Sequence, residues 1–360
     1  MKLEPIIDLI HKHYRPQEYP TLHAQIELWR QTRPLAGYRL LDATPLYRNT
    51  LVKHLALLAA GADLSIGLSD TIQHDPTVAE LIRTAGLPLL HAASSRPHTF
   101  DLILDCAGAF CRWPAAIGYV ELTRSGVAQY TDSQRPVYVA DSGRIKHIET
   151  LLGTGESYFR AMAQLGYHDW EKRSVVIFGS GKVGSGLILY AHRAGAHITA
   201  ITDPATLTPS IHSYVNDVID YRNHAAIGQA VRTAYAVITA TGHPAIFQQG
   251  CPSDDWQASA ALMANMGVED EYGPEIPPER VLNRKETLNF ILEEPTHLKY
   301  IDATMALHNE GALYLLQHHD VQGFINPDPE TEERLLHLSC TQGVAGEEIA
   351  LLLSPASREF

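Results

Sequence analysis

The residues with the clearest chemical meaning are the three glycines of Gly179-Ser180-Gly181-Lys182-Val183-Gly184. A loop of this spacing can bring backbone N–H groups to a pyrophosphate. The first glycine permits a tight turn, the second lets the main chain approach the phosphates, and the third lets the following helix pack closely on the preceding strand. The unpaired N–H groups at the helix N-terminus then face the negative charge. Asp203 follows Gly179 by 24 positions, close to the spacing of about 20 at which a carboxylate accepts hydrogen bonds from a dinucleotide ribose. A carboxylate there repels a 2′-phosphate. The pattern therefore predicts NAD in preference to NADP, held by Gly179, Ser180, Gly181, Lys182, Val183, Gly184 and Asp203.

Such a loop works only between a buried strand and a helix. The apolar run 174–178 predicts the strand, 183–193 the helix, and 197–201 a second strand that ends at Thr202-Asp203-Pro204. Further strands are predicted at 236–239, 261–265 and 299–301. Upstream, strands at 39–42, 63–68, 102–104 and 137–139 alternate with helices at 49–60, 78–84 and 156–165. Strands alternating with helices predict parallel, doubly wound sheets. The chain thus reads as two α/β domains, with a joint near residues 145–155. Residues 1–150 with 308–360 are expected to form a substrate-binding, catalytic domain, and 151–307 a Rossmann NAD-binding domain.

Composition narrows the function classes. A chain of 360 residues is long for one compact domain, in keeping with two. Its 41 acidic residues outnumber 28 basic ones, and a net charge of −13 repels phosphate backbones, so a nucleic-acid partner is not expected. The histidines, including His11 with His13 and His318 with His319, show no His-x-x-x-His with a nearby carboxylate, so no metal is expected. Cys106, Cys111, Cys251 and Cys340 form no CxxC pair, and scattered thiols suit a reducing compartment. Glu4 and Asp8 interrupt what would be the apolar stretch of a secretion signal, and runs such as 55–61 are too short to cross a bilayer. The expectation is a cytoplasmic protein acting on a small molecule, away from membranes, with a homo-oligomer left open.

Several blocks, in order over roughly residues 35–310, resemble those of the S-adenosyl-L-homocysteine hydrolases. Pro136-Val-Tyr-Val-Ala-Asp-Ser-Gly-Arg-Ile-Lys-His-Ile-Glu-Thr-Leu-Leu-Gly-Thr-Gly-Glu-Ser157 is similar to that family's P-x-x-x-V-N-D-S-x-T-K-x-x-F-D-N-x-Y-G-T-G-x-S. Gly118-Tyr-Val-Glu-Leu-Thr-Arg-Ser-Gly-Val127 resembles G-x-x-E-E-T-T-T-G-V, and Leu102-Ile-Leu-Asp-Cys-Ala-Gly108 resembles I-L-D-D-G-G. Thr239-Ala-Thr-Gly242 resembles T-T-T-G, and Asn265-Met-Gly267 resembles N-I-G-H. The resemblance implies two α/β domains around NAD, which transiently oxidises a ribose hydroxyl. It adds Thr123, Thr239, Ala240 and Asn265 to the cofactor-binding set.

The departures fall on the substrate side. The family's catalytic lysine falls on Ile145, with Lys146 one position off; the aspartate of F-D-N becomes Glu149 and its asparagine Thr150. The second Asp of I-L-D-D becomes Cys106, and the second Glu of E-E-T-T-T becomes Leu122. In the segment matching H-M-T-x-E-T, Pro45 replaces the catalytic His and Asn49 the adenine-contacting Glu; Val268 replaces the His of N-I-G-H. The family's C-terminal tail has no counterpart in residues 351–360. Apolar side chains cannot transfer protons, so hydrolysis of S-adenosylhomocysteine is not expected.

The residues left to carry chemistry are Glu121, Lys146, Glu149 and His308, each of which could equally be a salt-bridge or loop residue. Cys106 reads either as a nucleophile or as a small buried residue. Two functions follow. One is an NAD-dependent oxidoreductase, or redox-assisted hydrolase or lyase, that oxidises or transiently oxidises a hydroxyl of a small polar metabolite. The other is a catalytically silent NAD-binding regulatory protein. Formation of NADH with a metabolite separates them.

Overall fold

The structure, a computed structural model, describes residues 2–94 and 98–353. It divides into two compact units, one running to His147 and resuming at His297–Ala350, the other spanning Ile148–Thr296. Among the described residues, no helix is long and apolar enough to cross a membrane.

The first unit is built on β1 (Arg39–Asp42), β2 (Asp63–Leu68), β3 (Leu89–His91), β4 (Phe100–Asp105), β5 (Ala115–Glu121) and β6 (Val137–Val139), with an edge strand at Phe324–Ile325. All pairs are parallel, in the order Phe324–Ile325, β6, β5, β4, β1, β2, β3. The chain starts in the middle, winds out to β3, returns to β4 and winds out the other way. Leu40, Leu41, Ile103, Leu104 and Val120 are fully buried, which explains strands that read as near-continuous apolar runs. β5 escapes the strand reading because Gly118 interrupts it. A Cβ there would meet the Pro136 carbonyl oxygen at 2.7 Å, so the glycine marks close backbone approach.

One element differs in kind from expectation. Residues 299–301 do not form a strand; they open the helix Leu298–Gln317. Three residues cannot distinguish the two periods, whereas the buried positions Leu298, Asp302, Met305, Asn309 and Ala312 recur every three or four residues. This helix lies wholly in the first unit, so the chain crosses between units at Thr296–His297 rather than at 307–308. Gly311 lets it press on the sheet, where a Cβ would meet Val120 and Tyr138 side chains at 2.7 Å.

The same helix supplies a cap that the sequence hides. Tyr19, at the start of the helix Pro20–Thr32, makes no side-chain cap. Instead Asp302 accepts from Thr21 N at 2.9 Å, Thr21 Oγ1 at 2.6 Å and Leu22 N at 3.0 Å, satisfying N–H groups that the first turn leaves unpaired.

The second unit contains β7 (Ser174–Phe178), β8 (His197–Thr202), β9 (Asp217–Asp220), β10 (Ala236–Thr239), β11 (Leu262–Asn265) and β12 (Val281–Leu282). All are parallel, in the order β12, β11, β10, β7, β8, β9. Counted from β7 this is 3-2-1-4-5-6, the order of the Rossmann fold. Both units are doubly wound parallel α/β structures.

Burial pushes the Asp302 carboxyl from its ordinary 3.8 up to about 7. Its proton is therefore held more tightly in the folded chain than in the unfolded one. The associated stability is complete below the unfolded value and is lost as pH rises toward the folded value, at ~1.4 kcal/mol per pH unit. Urea unfolding of the wild type should show stability falling between about pH 4 and 7. Asp302→Asn should remove part of that slope; identical slopes would rule out Asp302 as its source.

Candidate functional site

The glycine loop leaves the end of β7, where β7 lies beside β10 and the winding of the sheet reverses. Open α/β sheets bind ligands at that point, outside the strand carboxyl ends. Gly179 has φ +99° and donates its N–H to the Ile201 carbonyl at 2.9 Å. A Cβ on Gly179 would meet the Ala240 carbonyl oxygen at 2.5 Å, and one on Gly184 would meet the Gly179 carbonyl oxygen at 2.1 Å. Both glycines are required by the protein's own packing. Gly181 is different. Its φ of −71° and ψ of −167° suit any residue, and a Cβ there would meet no atom within 4 Å. Only a group brought in from outside gives this glycine a reason, and a dinucleotide pyrophosphate fits it. Gly181 caps the helix Lys182–Arg193, whose first residues Lys182 and Val183 are half-buried.

Side chains hold the loop in shape. Ser180 Oγ is 2.7 Å from Thr202 Oγ1, and Ser185 Oγ donates to the Ser180 carbonyl at 2.9 Å. Across the switch point, Ala240 N donates to the Phe178 carbonyl at 2.9 Å. The following turn is held by buried Glu271, which accepts from Thr241 N and Oγ1, both at 2.8 Å, and Gly242 N at 2.7 Å. Burial pushes this carboxyl upward. Sequence reading misses Glu271, since nothing local ties it to a turn thirty residues away.

Two of the expected cofactor residues are already engaged with each other and with the protein's own loops. Asn265 donates to the carbonyls of Glu269 at 2.7 Å and Lys285 at 2.9 Å, and accepts from Gly267 N at 3.0 Å and Thr239 Oγ1 at 3.2 Å. That uses the amide's two donors and both acceptor sites, together with the Thr239 hydroxyl proton. Asn265 and Thr239 thus shape the loops after β11 and β10.

Asp203 stands just past β8. One carboxylate oxygen accepts from Ala205 N at 3.0 Å and the other from Arg222 Nη2 at 3.0 Å. Arg222 carries no local signal in the sequence; the pairing of Thr202 with Asp220 across β8 and β9 is what brings it here.

In the first unit, Glu121 ends β5 fully buried. It accepts from Thr123 N and Oγ1, both at 2.7 Å, and from Ala107 N and Gly108 N, both at 3.1 Å. Thr123 Oγ1 in turn accepts from Ala107 N at 3.0 Å and Gly126 N at 3.1 Å. Thr123 therefore belongs to this turn, in the first unit. Nearby, Asp105 accepts from Tyr130 Oη at 2.5 Å and from Phe110 N at 2.9 Å. Burial holds both Glu121 and Asp105 above the usual carboxylate range, and the negative charge of Asp105 adds to the effect on Glu121. Burial, reinforced by Glu121 and Asp105, also pushes the Cys106 thiol well up. A thiol kept protonated is not a nucleophile.

His308 is fully buried on the helix Leu298–Gln317. Its Nε2 is 2.9 Å from the Val120 carbonyl, so Nε2 carries the proton and donates. Burial and the Lys53 charge push its pKa down to about 3. Beside it, fully buried Lys53 donates to Asp42 at 2.6 Å, and Thr44 Oγ1 donates to Asp42 at 2.7 Å. Burial raises the Asp42 carboxyl, but Lys53 and His54 together, with a smaller contribution from His308, outweigh it and hold Asp42 well below its ordinary value. Lys146 is half-buried, and its charge acts on both Cys106 and His308. Glu149 belongs to the second unit, buried at the start of the π-helical turn Glu149–Thr154. Among the described residues no group of three or more His, Cys, Asp or Glu is placed to hold a metal.

The chain matches no protein-family model, and no curated protein matches it in sequence. Solved structures similar to it include a dipicolinate synthase polypeptide from Bacillus halodurans, at 15% identity and a TM-score of 0.41 over 72% of this chain and 96% of that one. Transhydrogenase from Sinorhizobium meliloti follows at 11% identity and 0.43, over 78% and 94%. D-lactate dehydrogenase with NAD+ from Lactobacillus jensenii has 9% identity and 0.35, over 78% and 95%. Similarity at this level bears on neither substrate nor activity.

Proposed function

We propose that the second unit binds NAD, and that the protein uses it to oxidise, or transiently oxidise, a hydroxyl of a small polar metabolite. The observation that carries the reading is Gly181, a glycine without steric need at the switch point of a 3-2-1-4-5-6 sheet. The backbone N–H groups at Gly181–Val183 hold the pyrophosphate, and Asp203 accepts from the adenosine ribose. NAD, when bound, supplies the hydride acceptor. The substrate belongs at the carboxyl ends of the first unit's strands, the edge at which doubly wound sheets meet their ligands. Lys146 and Glu149 are the proposed proton-handling groups. Glu121 and His308, committed to backbone partners, shape the strand ends.

A distant relationship to the S-adenosylhomocysteine hydrolases fits the order of the shared blocks. A different substrate fits Cys106, Leu122 and Ile145, which are buried non-acidic side chains where that chemistry needs proton carriers. The engagement of Glu121 and His308 also favours a second reading, an NAD-binding protein that performs no chemistry and regulates a partner. Mass spectrometry of the ligand released on denaturation, followed by a search for metabolite-dependent NADH absorbance, separates the two.

Gly181→Val should weaken NAD binding by roughly 100-fold or more, about 3 kcal/mol, while the protein still folds, because a Cβ there meets no atom within 4 Å. Undiminished affinity by calorimetry would remove the assigned site. Incubation with S-adenosylhomocysteine and NAD should release no homocysteine detectable by a thiol reagent. General acid–base groups each contribute about 10²–10⁴-fold, so turnover on the order of 1 s⁻¹ would restore the hydrolase reading.

A further inference from the structure

The ribose end of the site carries a second charged residue. Arg222 follows β9, and its side chain spans two carboxylates: Nη2 donates to Asp203 at 3.0 Å and Nε donates to Asp220 at 2.8 Å. The guanidinium also lies over the Tyr221 ring at 4.8 Å. It remains 58% exposed, and the Asp203 side chain 39%, so both groups are accessible to a ligand at the end of β8. Three hydroxyls border Asp203: Ser180 Oγ lies 2.7 Å from Thr202 Oγ1, which lies 3.5 Å from Thr206 Oγ1.

We propose that Arg222 is a specificity-determining residue of the adenosine-ribose subsite, a phosphate receptor masked by Asp203. The proposal rests on the dinucleotide reading above and deepens it. Asp203 alone would repel a 2′-phosphate strongly. With Arg222 paired to it, the local charge is partly neutralised, and the arginine fixes one carboxylate oxygen while Ala205 N fixes the other. A planar guanidinium suits a phosphate as well as a carboxylate, because its N–H groups match the oxygens of either in parallel. Removing the Asp203 carboxylate frees Arg222 Nη2 for a 2′-phosphate, while Nε stays on Asp220 and keeps the guanidinium in place. Removing Arg222 leaves Asp203 without its counter-charge, which penalises the phosphorylated cofactor most.

Calorimetric titration of wild type, Asp203→Ala, Arg222→Ala and the double variant with NAD and with NADP tests this. The wild type should prefer NAD. Arg222→Ala should weaken NADP further while changing NAD little. Asp203→Ala should improve NADP by about three- to tenfold, the scale of an exposed charge pair, and the double variant should lose that gain. If wild type binds NAD but the double variant keeps the gain, or Arg222→Ala lowers both cofactors equally, Arg222 is not the determinant. If wild type binds neither dinucleotide, the cofactor reading itself falls, and this inference with it. Melting curves for all four proteins report whether the fold is retained.

Discussion

The second unit depends on backbone meeting backbone around the helix Lys182–Arg193. At its start, Gly184 sits where a Cβ would come within 2.1 Å of the Gly179 carbonyl oxygen. Two residues later, Gly186 sits where a Cβ would come within 2.3 Å of the Leu151 carbonyl oxygen, and Gly155 closes against Gly186 itself at 2.5 Å. No side chain larger than hydrogen fits any of these places. The helix is thereby drawn onto both the loop and the segment Glu149–Gln164, with its N-terminus aimed at the turn after β7. Such contacts limit the freedom of the loop before any ligand arrives, which lowers the ordering that binding must impose.

The first unit is organised around buried charge instead. Asp42 and Lys53 form a fully buried pair, with Thr44 and His54 against the same carboxylate. Burying two charges is costly unless their remaining hydrogen-bonding capacity is used. Here Asp42 also accepts from Thr44 N at 3.0 Å. Glu121 and Asp105 follow the same rule, each accepting from backbone N–H groups in the turns that close β4 and β5. These carboxylates shape the strand ends, the place in a doubly wound sheet where ligands are met. Ordering the rim with buried polar groups leaves fewer of them available for proton transfer.

Much of this protein is legible in its sequence alone. The strands 63–68, 137–139, 174–178 and 236–239 appear with those bounds, because buried parallel strands are continuous apolar runs whose edges are marked by turn residues. The Gly179–Gly184 spacing is equally local, as glycine is demanded by conformation and by approach within a few residues. What tertiary structure alone decided is which polar groups are spent. Asn265 and Thr123 resemble ligand-binding residues by type and position, yet partners in neighbouring loops take up their hydrogen bonds. Asp302 reaches back 281 positions to cap a helix, and Arg222 arrives at Asp203 through the register of β8 and β9. Sequence carries local conformation because φ, ψ and hydrophobic period are properties of short segments. Charge pairing and hydrogen-bond satisfaction belong to the assembled chain, where distance in space replaces distance along it.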